Sequence, residues 1–357
     1  MRILLLADYY PPYLKSFHAE HPADGLTYEQ ALEAMLADYY GVFVSYRNHF
    51  RRLGHQCELV IGNDYLLQGK WLAETGITES VTPQTKYKAV LARIEAFRPD
   101  VMFLGSMFDY FGDFMAAASR ITPNIFAWIA CPYPKALDMR GIRCVISSVD
   151  AFVEDFRTMG LAAERLDAAF DADIAAALGN VPKKYDVTFI GGLSSRSHGY
   201  RVRMLKDLLR AGISVDLWGY GLDSGILPNP LRKHLRGEVW AMDYYRVLAQ
   251  SRMTLNFHID VARTSGFTGN MRTFEATGCG AALVTDASGE VGRLFEPGSE
   301  VVTYASYDEL IVRLRELLAN PGQAEAIGKR GQQRCLETHG YDVRILQFER
   351  ILVEHTV

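Results

Sequence analysis

Short apolar runs alternate with longer stretches of helical periodicity along the whole chain. A run that is apolar throughout is typical of a strand buried on both faces, as in a parallel sheet covered by helices. The strands predicted from this pattern are Arg2–Ala7, Cys57–Ile61, Val101–Gly105, Ile125–Ile129, Cys144–Ser147 and Ala163–Leu166, then Val187–Gly191, Ser214–Trp218, Gly237–Trp240, Met253–His258, Ala281–Thr285 and Val301–Tyr304. Two such sets predict an α/β protein made of two Rossmann-like, doubly wound domains.

The segment between the two sets of strands, residues 171–185, contains Gly179, Pro182 and two consecutive lysines. We interpret it as a hinge between an N-terminal domain, residues 1–170, and a C-terminal domain, residues 186–340. A last helix, at about 341–357, has apolar side chains at helical spacing and therefore one apolar face.

Composition and charge limit the classes of protein to which the chain can belong. The chain has 357 residues, of which 49% are hydrophobic and 22% are charged. Its net charge of −4 argues against a nucleic-acid-binding surface, since such surfaces are usually basic. No apolar stretch is long enough to predict a transmembrane segment. The five cysteines are scattered and form no CxxC pair, so we expect no disulfide framework and a cytoplasmic location.

The segment Ser265–Asp286 combines a loop of small residues, a helix that begins near Asn270, a helix stop at Gly278 to Gly280 and a buried strand. Backbone amides of such a loop, together with the positive end of the helix, suit the phosphates of a nucleotide. The carboxylate of Glu275, early in the helix, can accept hydrogen bonds from both ribose hydroxyls. The alternative is an ordinary loop, helix and strand whose glutamate faces solvent.

A second candidate phosphate loop follows the first strand of the second set. It contains Gly191, Gly192 and Ser194, and Arg196 or Arg201 offers a countercharge. The order of strand, glycine turn and helix start is the geometry in which diphosphate oxygens meet backbone amides. The loop lacks the full GxGxxG pattern, and a plain strand-to-helix turn would look almost the same.

The C-terminal half of the chain resembles the CgeB-like, spore-maturation type of glycosyltransferase, which belongs to the group 1 transferases of GT-B fold. The likeness covers roughly residues 186–350. It is carried by Asn270, Arg272, Phe274, Glu275, Gly278, Gly280, Thr285 and Asp286, by 294–298 and 300–302, and by Tyr307–Leu310, Gly331 and His339. The resemblance implies two Rossmann-like domains that face each other across a cleft, with the last helix packed on the N-terminal domain.

The resemblance also implies a nucleotide-diphosphate sugar as donor, no cofactor and no metal ion. Backbone amides near Gly192 and of Thr268, Gly269, Asn270 and Met271 would hold the diphosphate, with Arg196 and Arg272 as countercharges. Glu275 would bind the ribose, and Arg272 would neutralise the departing nucleoside diphosphate. Trp240 and His258, each at the end of a predicted strand, are further candidates for this site. Core packing accounts equally well for Trp240, and a lone histidine at a strand end is more often a hydrogen-bonded structural residue.

The N-terminal domain should bind the acceptor, whose identity the sequence leaves open. Asp109, just past a predicted strand, is the first candidate for a catalytic base, and His18 is the second. His18 and His21 together make only a weak case for a metal site.

Two departures from the family pattern keep other functions open. Phe267 stands where many relatives carry a second glutamate that contacts the donor sugar, and Ala130–Pro132 lacks an aspartate that many CgeB-like chains have. The alternatives are a nucleotide-sugar epimerase on the same fold and a non-catalytic nucleotide-binding protein.

Overall fold

The computed structural model describes residues 1–134, 136–196, 198–222, 229–257, 270–287 and 289–357. It divides into two compact units. Unit 1 contains Met1–Asp167 and Arg344–Val357, and unit 2 contains Ala168–Val343.

Unit 1 is built on a six-stranded parallel sheet with the order β2-β1-β3-β4-β5-β6. Its strands are β1 (Arg2–Ala7), β2 (Gln56–Ile61), β3 (Val101–Leu104), β4 (Ile125–Trp128), β5 (Cys144–Ser147) and β6 (Ala163–Arg165). Its helices are α1 (Pro11–Glu20), α2 (Tyr28–Leu36), α3 (Val42–Arg52), α4 (Tyr65–Glu74), α5 (Lys86–Phe97), α6 (Asp113–Ile121) and α7 (Asp150–Thr158). A short 3-10 helix, Met107–Asp109, follows β3.

The two faces of this sheet form two apolar layers, because successive strand side chains point to opposite faces. Met102 and Leu104 of β3 lie in a cluster with buried residues of α5, α6 and α7. Between them, Phe103 turns the other way and packs at 4.8 Å, ring centroid to ring centroid, against Phe348 of the last helix. Phe50 of α3 also contacts Phe348, so the C-terminal segment completes this second layer.

Unit 2 is built on a five-stranded parallel sheet with the order β11-β10-β9-β7-β8. Its strands are β7 (Tyr185–Ile190), β8 (Asp216–Trp218), β9 (Ser251–Asn256), β10 (Ala282–Asp286) and β11 (Val302–Tyr304). Its helices are α8 (Ala172–Leu178), α9 (Gly199–Arg210), α10 (Ala241–Ala249), α11 (Met271–Gly278), α12 (Gly289–Leu294), α13 (Tyr307–Ala319) and α14 (Pro321–Thr338), and α15 (Tyr341–His355) begins here. A 3-10 helix spans Pro230–His234.

The predicted strand Gly237–Trp240 is wrong. An isolated bridge between Leu235 and Leu217 and a hydrogen bond from the Gly219 amide to the Gly237 carbonyl join this region to the sheet, but no strand forms. Gly237 then adopts a φ of +118°, which takes the backbone out of the extended conformation, and Trp240 becomes the N-cap of α10. The other eleven predicted strands are present, with ends that differ by at most two residues.

Two features of the fold bear on the class of protein. Among the described residues, no helix is long and apolar enough to cross a membrane. All five cysteines are free thiols, and only Cys131 is exposed.

A lysine ties together several backbone segments of unit 2. The Lys183 ammonium donates to the carbonyl oxygens of Ala249 at 2.9 Å, Ser251 at 2.8 Å and Gly280 at 2.7 Å. These carbonyls lie at or just past the C-terminal ends of α10 and α11, where the helix dipole favours a cation. Burial lowers the pKa of Lys183 to about 8, with smaller contributions from neighbouring charges.

We expect Lys183→Met to lower the free energy of unfolding by roughly 2–4 kcal/mol, because three carbonyl oxygens lose their donor. Urea unfolding measures the change. Lys184→Met is the matched control, since the adjacent Lys184 is exposed and should change stability by less than about 0.5 kcal/mol. Equal midpoints for the two variants would contradict a structural role for Lys183.

Candidate functional site

The candidate site of unit 2 lies at the carboxyl ends of β7 and β9. In this sheet the chain leaves β7 toward β8 on one side and later returns to place β9 on the other. Open α/β sheets bind ligands at such a switch point, because the two diverging connections leave a crevice. The predicted phosphate loop follows β7, and Asn256 ends β9.

The loop after β7 is held by close backbone contacts. The amide of Gly191 donates to the carbonyl of Trp218 at 2.9 Å, and that of Leu193 donates to Tyr220 at 2.8 Å. Gly192 is buried and Ser194 is half-buried. A Cβ atom on Gly219 would lie 1.9 Å from the carbonyl oxygen of Gly191, so this close approach requires glycine.

Arg201, one of the two arginines predicted as countercharges, binds backbone carbonyl groups of unit 2 and so has a structural role. Its guanidinium donates to the carbonyl of Gly192 at 3.1 Å and to the carbonyl of Phe257 at 2.9 Å. Arg201 thereby fixes the loop after β7 to the end of β9. Arg196 is exposed, and no described residue forms an ion pair with it.

The N-terminus of α11 is joined to β9 by a reciprocal pair of amide side chains. The Asn256 Nδ2 donates to the Asn270 Oδ1 at 3.2 Å, and the Asn270 Nδ2 donates to the Asn256 Oδ1 at 3.0 Å. The side chain of the N-cap residue Asn270 therefore does not cap its own helix. The amide of Thr273 donates to the carbonyl of Asn270 at 3.0 Å, and no hydrogen bond from the amides of Met271 and Arg272 to another described residue is present. The predicted site residues His258, Thr268 and Gly269 lie outside the described residues.

Glu275 is turned inward, toward α10. Its side chain is only 13% exposed, and the hydroxyl of Tyr244 donates a hydrogen bond to its Oε2. The Arg272 Nε lies 3.7 Å from the same oxygen, an ion pair that is too long for a hydrogen bond. Burial raises the pKa of the Glu275 carboxyl, while Arg272 and the Tyr244 bond lower it.

Both contacts of the carboxylate use Oε2, and no described residue hydrogen-bonds Oε1. The Arg272 guanidinium stacks on the Tyr244 ring, 4.8 Å from its centroid. Its Nε and Nη1 are buried without a hydrogen-bond partner among the described residues. The site therefore presents one carboxylate oxygen and one buried cationic donor group whose hydrogen-bonding capacity is unused.

Trp240 is half-buried and lies four residues before Tyr244 on the same helical face. Its ring stacks on Tyr220 with an interplanar angle of 22° and a centroid distance of 5.9 Å. The carbonyl of Tyr220 also accepts the hydrogen bond from Leu193, so this aromatic pair adjoins the loop after β7.

Unit 1 has a switch point of its own, between β1 and β3. Asp8 follows β1, and its carboxylate accepts hydrogen bonds from the Tyr110 hydroxyl at 2.7 Å and from the Lys86 ammonium at 3.0 Å. A Cβ atom on Gly62, after β2, would collide with this pair. Lys86 was not among the residues predicted for the site.

The two candidates for the base have different surroundings in unit 1. Asp109 ends the 3-10 helix after β3, is exposed, and accepts a hydrogen bond from the Ser106 hydroxyl at 2.6 Å. His18, on α1, places Nε2 at 2.9 Å from Oδ2 of Asp64, whose side chain is 2% exposed. Asp64 is itself fixed as the N-cap of α4. The imidazole is therefore oriented by a buried carboxylate, whereas Asp109 is a surface group. The ring of His21, at the end of α1, stacks on Phe17 with a centroid distance of 4.5 Å.

Comparisons with known proteins point to one class. Residues 196–350 match a protein-family model described as "Glycosyl transferase-like". A search of curated proteins found no match.

Three solved structures illustrate the likeness in fold. Anabaena Alr3699/HepE, solved in complex with UDP-glucose, is 14% identical, with a TM-score of 0.59 over 99% of this chain and 100% of that one. Sucrose-phosphate synthase from Thermosynechococcus elongatus is 12% identical, with a TM-score of 0.58 over 99% and 98% of the two chains. AviGT4, a glycosyltransferase involved in avilamycin A biosynthesis, is 14% identical, with a TM-score of 0.58 over 100% and 98%.

The two parallel-sheet units and these likenesses define the GT-B fold, as the sequence predicted. The family match covers residues 196–350, which include most of unit 2, so this part of the chain is similar to the glycosyl transferase-like family. The matched segment includes Arg272, Glu275 and Tyr244.

We expect Gly219→Ala to destabilise the protein by roughly 2–3 kcal/mol, because its Cβ forces the carbonyl of Gly191 and the phosphate loop to move. Gly199→Ala is the control: its Cβ enters open space at the start of α9, and alanine favours the helix by about 0.5–1 kcal/mol. Urea unfolding of both variants checks this. A Gly219→Ala protein as stable as Gly199→Ala would contradict the close approach.

Proposed function

We propose that unit 2 binds a nucleotide-diphosphate sugar and that the protein transfers this sugar to an acceptor bound by unit 1. The observation that carries the proposal is the arrangement at α11. A carboxylate with one unused oxygen and a guanidinium with unused donors lie on the first two turns of a helix whose N-cap side chain is engaged elsewhere. Anabaena HepE, of similar fold, was solved with UDP-glucose, which supports the same class of donor here.

Each group then has a role that follows from its charge and position. The amides of the loop at Gly191 and Gly192 and of the α11 N-terminus donate to diphosphate oxygens. Oε1 of Glu275 accepts from the ribose hydroxyls. The Arg272 guanidinium compensates the charge that develops on the leaving nucleoside diphosphate, and the exposed Arg196 adds a second cation.

The half-buried Trp240 and the exposed Tyr220 offer a stacked aromatic surface for the base of the nucleotide. The spacing of Asn270, Arg272, Phe274 and Glu275 supports the CgeB-like subtype within the glycosyltransferases. The two arginines supply the positive charge that a divalent metal supplies in other transferases, so we propose a mechanism without metal.

Glu275→Ala should weaken the binding of the matching nucleoside diphosphate about 100-fold, since two hydrogen bonds to a charged acceptor are lost. Calorimetric titration with uridine, guanosine and thymidine diphosphates, in the presence of a chelator, measures this. Glu316→Ala, at an exposed glutamate of α13, is the matched control and should bind as the wild type does.

Two results would contradict the donor proposal. One is unchanged affinity in Glu275→Ala. The other is a wild-type protein that binds the nucleotide only after a divalent metal is added, which would exclude the metal-free mechanism.

For the base, the geometry favours His18 over Asp109. An acceptor hydroxyl must lose its proton as it attacks the sugar, and an imidazole oriented by a carboxylate is suited to take it. The His18 Nε2 is committed to Asp64, and Nδ1 is buried without a hydrogen-bond partner among the described residues. Nδ1 is therefore the nitrogen that we assign to the proton transfer.

His18→Asn should lower kcat by about 10²- to 10⁴-fold with little change in donor affinity. Asp64→Asn should have a smaller effect in the same direction, because it removes the charge that orients the ring. His21→Asn and Asp109→Asn should stay within a few-fold of the wild type. Initial rates of sugar transfer measure all four variants, and a severe loss in Asp109→Asn alone would return the role to Asp109.

A further inference from the structure

The feature with the most consequence beyond the proposed donor site is Tyr244 of α10. Its hydroxyl donates to Oε2 of Glu275 across a sequence separation of 31 residues. The bond leaves Oε1 as the oxygen that no described residue occupies. Since a carboxylate can rotate about its terminal torsion, a fixed partner on one oxygen determines where the other one points.

The ring of the same tyrosine also supports Arg272. The guanidinium carbon lies 4.8 Å from the ring centroid, and the arginine side chain is only 17% exposed. A cation placed over an aromatic face is attracted by the ring quadrupole, and the planar guanidinium is suited to this stacking. Tyr244 thus contacts both charged groups of the site, one through its hydroxyl and the other through its ring.

We infer that Tyr244 is a positioning residue of the donor site: its hydroxyl holds Glu275 with Oε1 available to the ribose, and its ring holds Arg272 beside the diphosphate. This inference rests on the proposed function. Tyr244 contributes to nucleotide affinity through Glu275, not as a ligand itself.

The environment of the carboxylate gives this role a pH signature. Arg272 of α11 and Tyr244 of α10 act directly on the pKa of Glu275. Two further titratable neighbours are Tyr245 of α10 and Cys279, which follows α11. Asp171 acts on Tyr245, and Cys335 of α14 and Lys183 act on Cys279. Burial raises the pKa values of both tyrosines and of Cys279, so these groups stay neutral. Burial also raises the pKa of Glu275, and the bond from Tyr244 opposes that rise.

Tyr244→Phe removes the hydroxyl and keeps the ring. We expect the Kd of the nucleoside diphosphate to rise about tenfold near neutral pH, the equivalent of one lost charge-assisted hydrogen bond. The loss of affinity on acidification should also begin at higher pH than in the wild type. Protonation of Glu275 removes the negative acceptor, and without the Tyr244 bond the carboxyl holds its proton more strongly.

Tyr245→Phe is the matched control, because Tyr245 is the adjacent tyrosine on the same helix and its hydroxyl makes no hydrogen bond to Glu275. It should leave both the Kd and the pH profile within twofold of the wild type. Calorimetric titrations at a series of pH values measure both quantities, and thermal melting confirms that each variant is folded.

A double-mutant cycle separates a positioning role from a structural one. If Tyr244 acts through the carboxylate, Tyr244→Phe should have almost no further effect on the Kd in a Glu275→Ala background. An equal tenfold loss in both backgrounds would overturn the inference, as would an unmoved pH profile in Tyr244→Phe. Failure of the wild type to bind any nucleoside diphosphate would instead overturn the proposed function, so the two failures are distinguishable.

Discussion

The proposed donor site depends on how unit 2 accommodates one charged side chain, Glu275, away from solvent. A carboxylate that leaves water loses several kcal/mol of hydration unless other groups compensate for it. Here compensation comes from the Tyr244 hydroxyl and, at a longer distance, from the Arg272 guanidinium. Both act on a single oxygen, so the second oxygen has no hydrogen-bond donor among the residues that the structure describes.

This incomplete compensation favours the proposed binding role over that of a structural ion pair. A buried pair that served stability alone would use its remaining donors and acceptors, since each unused one costs free energy. The unused Nη1 of Arg272 and Oε1 of Glu275 instead offer a donor and an acceptor to a ligand that carries both phosphates and hydroxyls. Asn256 and Asn270 keep these groups in register with the phosphate loop by fixing α11 to the sheet.

The local elements of this arrangement could be predicted from the sequence, but its long-range side-chain contacts could not. The strands and the place of Glu275 on a helix after a small-residue loop follow from short patterns, and eleven of twelve strands are present. The predicted strand at Gly237–Trp240 failed because its apolar residues flank a glycine in the left-handed region. Tyr244, Asp64 and Lys86 were not predicted. Their partners Glu275, His18 and Asp8 lie 31, 46 and 78 residues away in the sequence, respectively, and no spacing rule covers such separations.

The last helix has a consequence for how the protein is made. Phe348, which covers Phe50 and Phe103 in unit 1, is encoded after the whole of unit 2. During synthesis, the first sheet therefore emerges from the ribosome before the helix that covers Phe50 and Phe103 has been made. Packing of unit 1 is thereby coupled to synthesis of unit 2, and a product terminated within unit 2 would expose these aromatic side chains to aggregation.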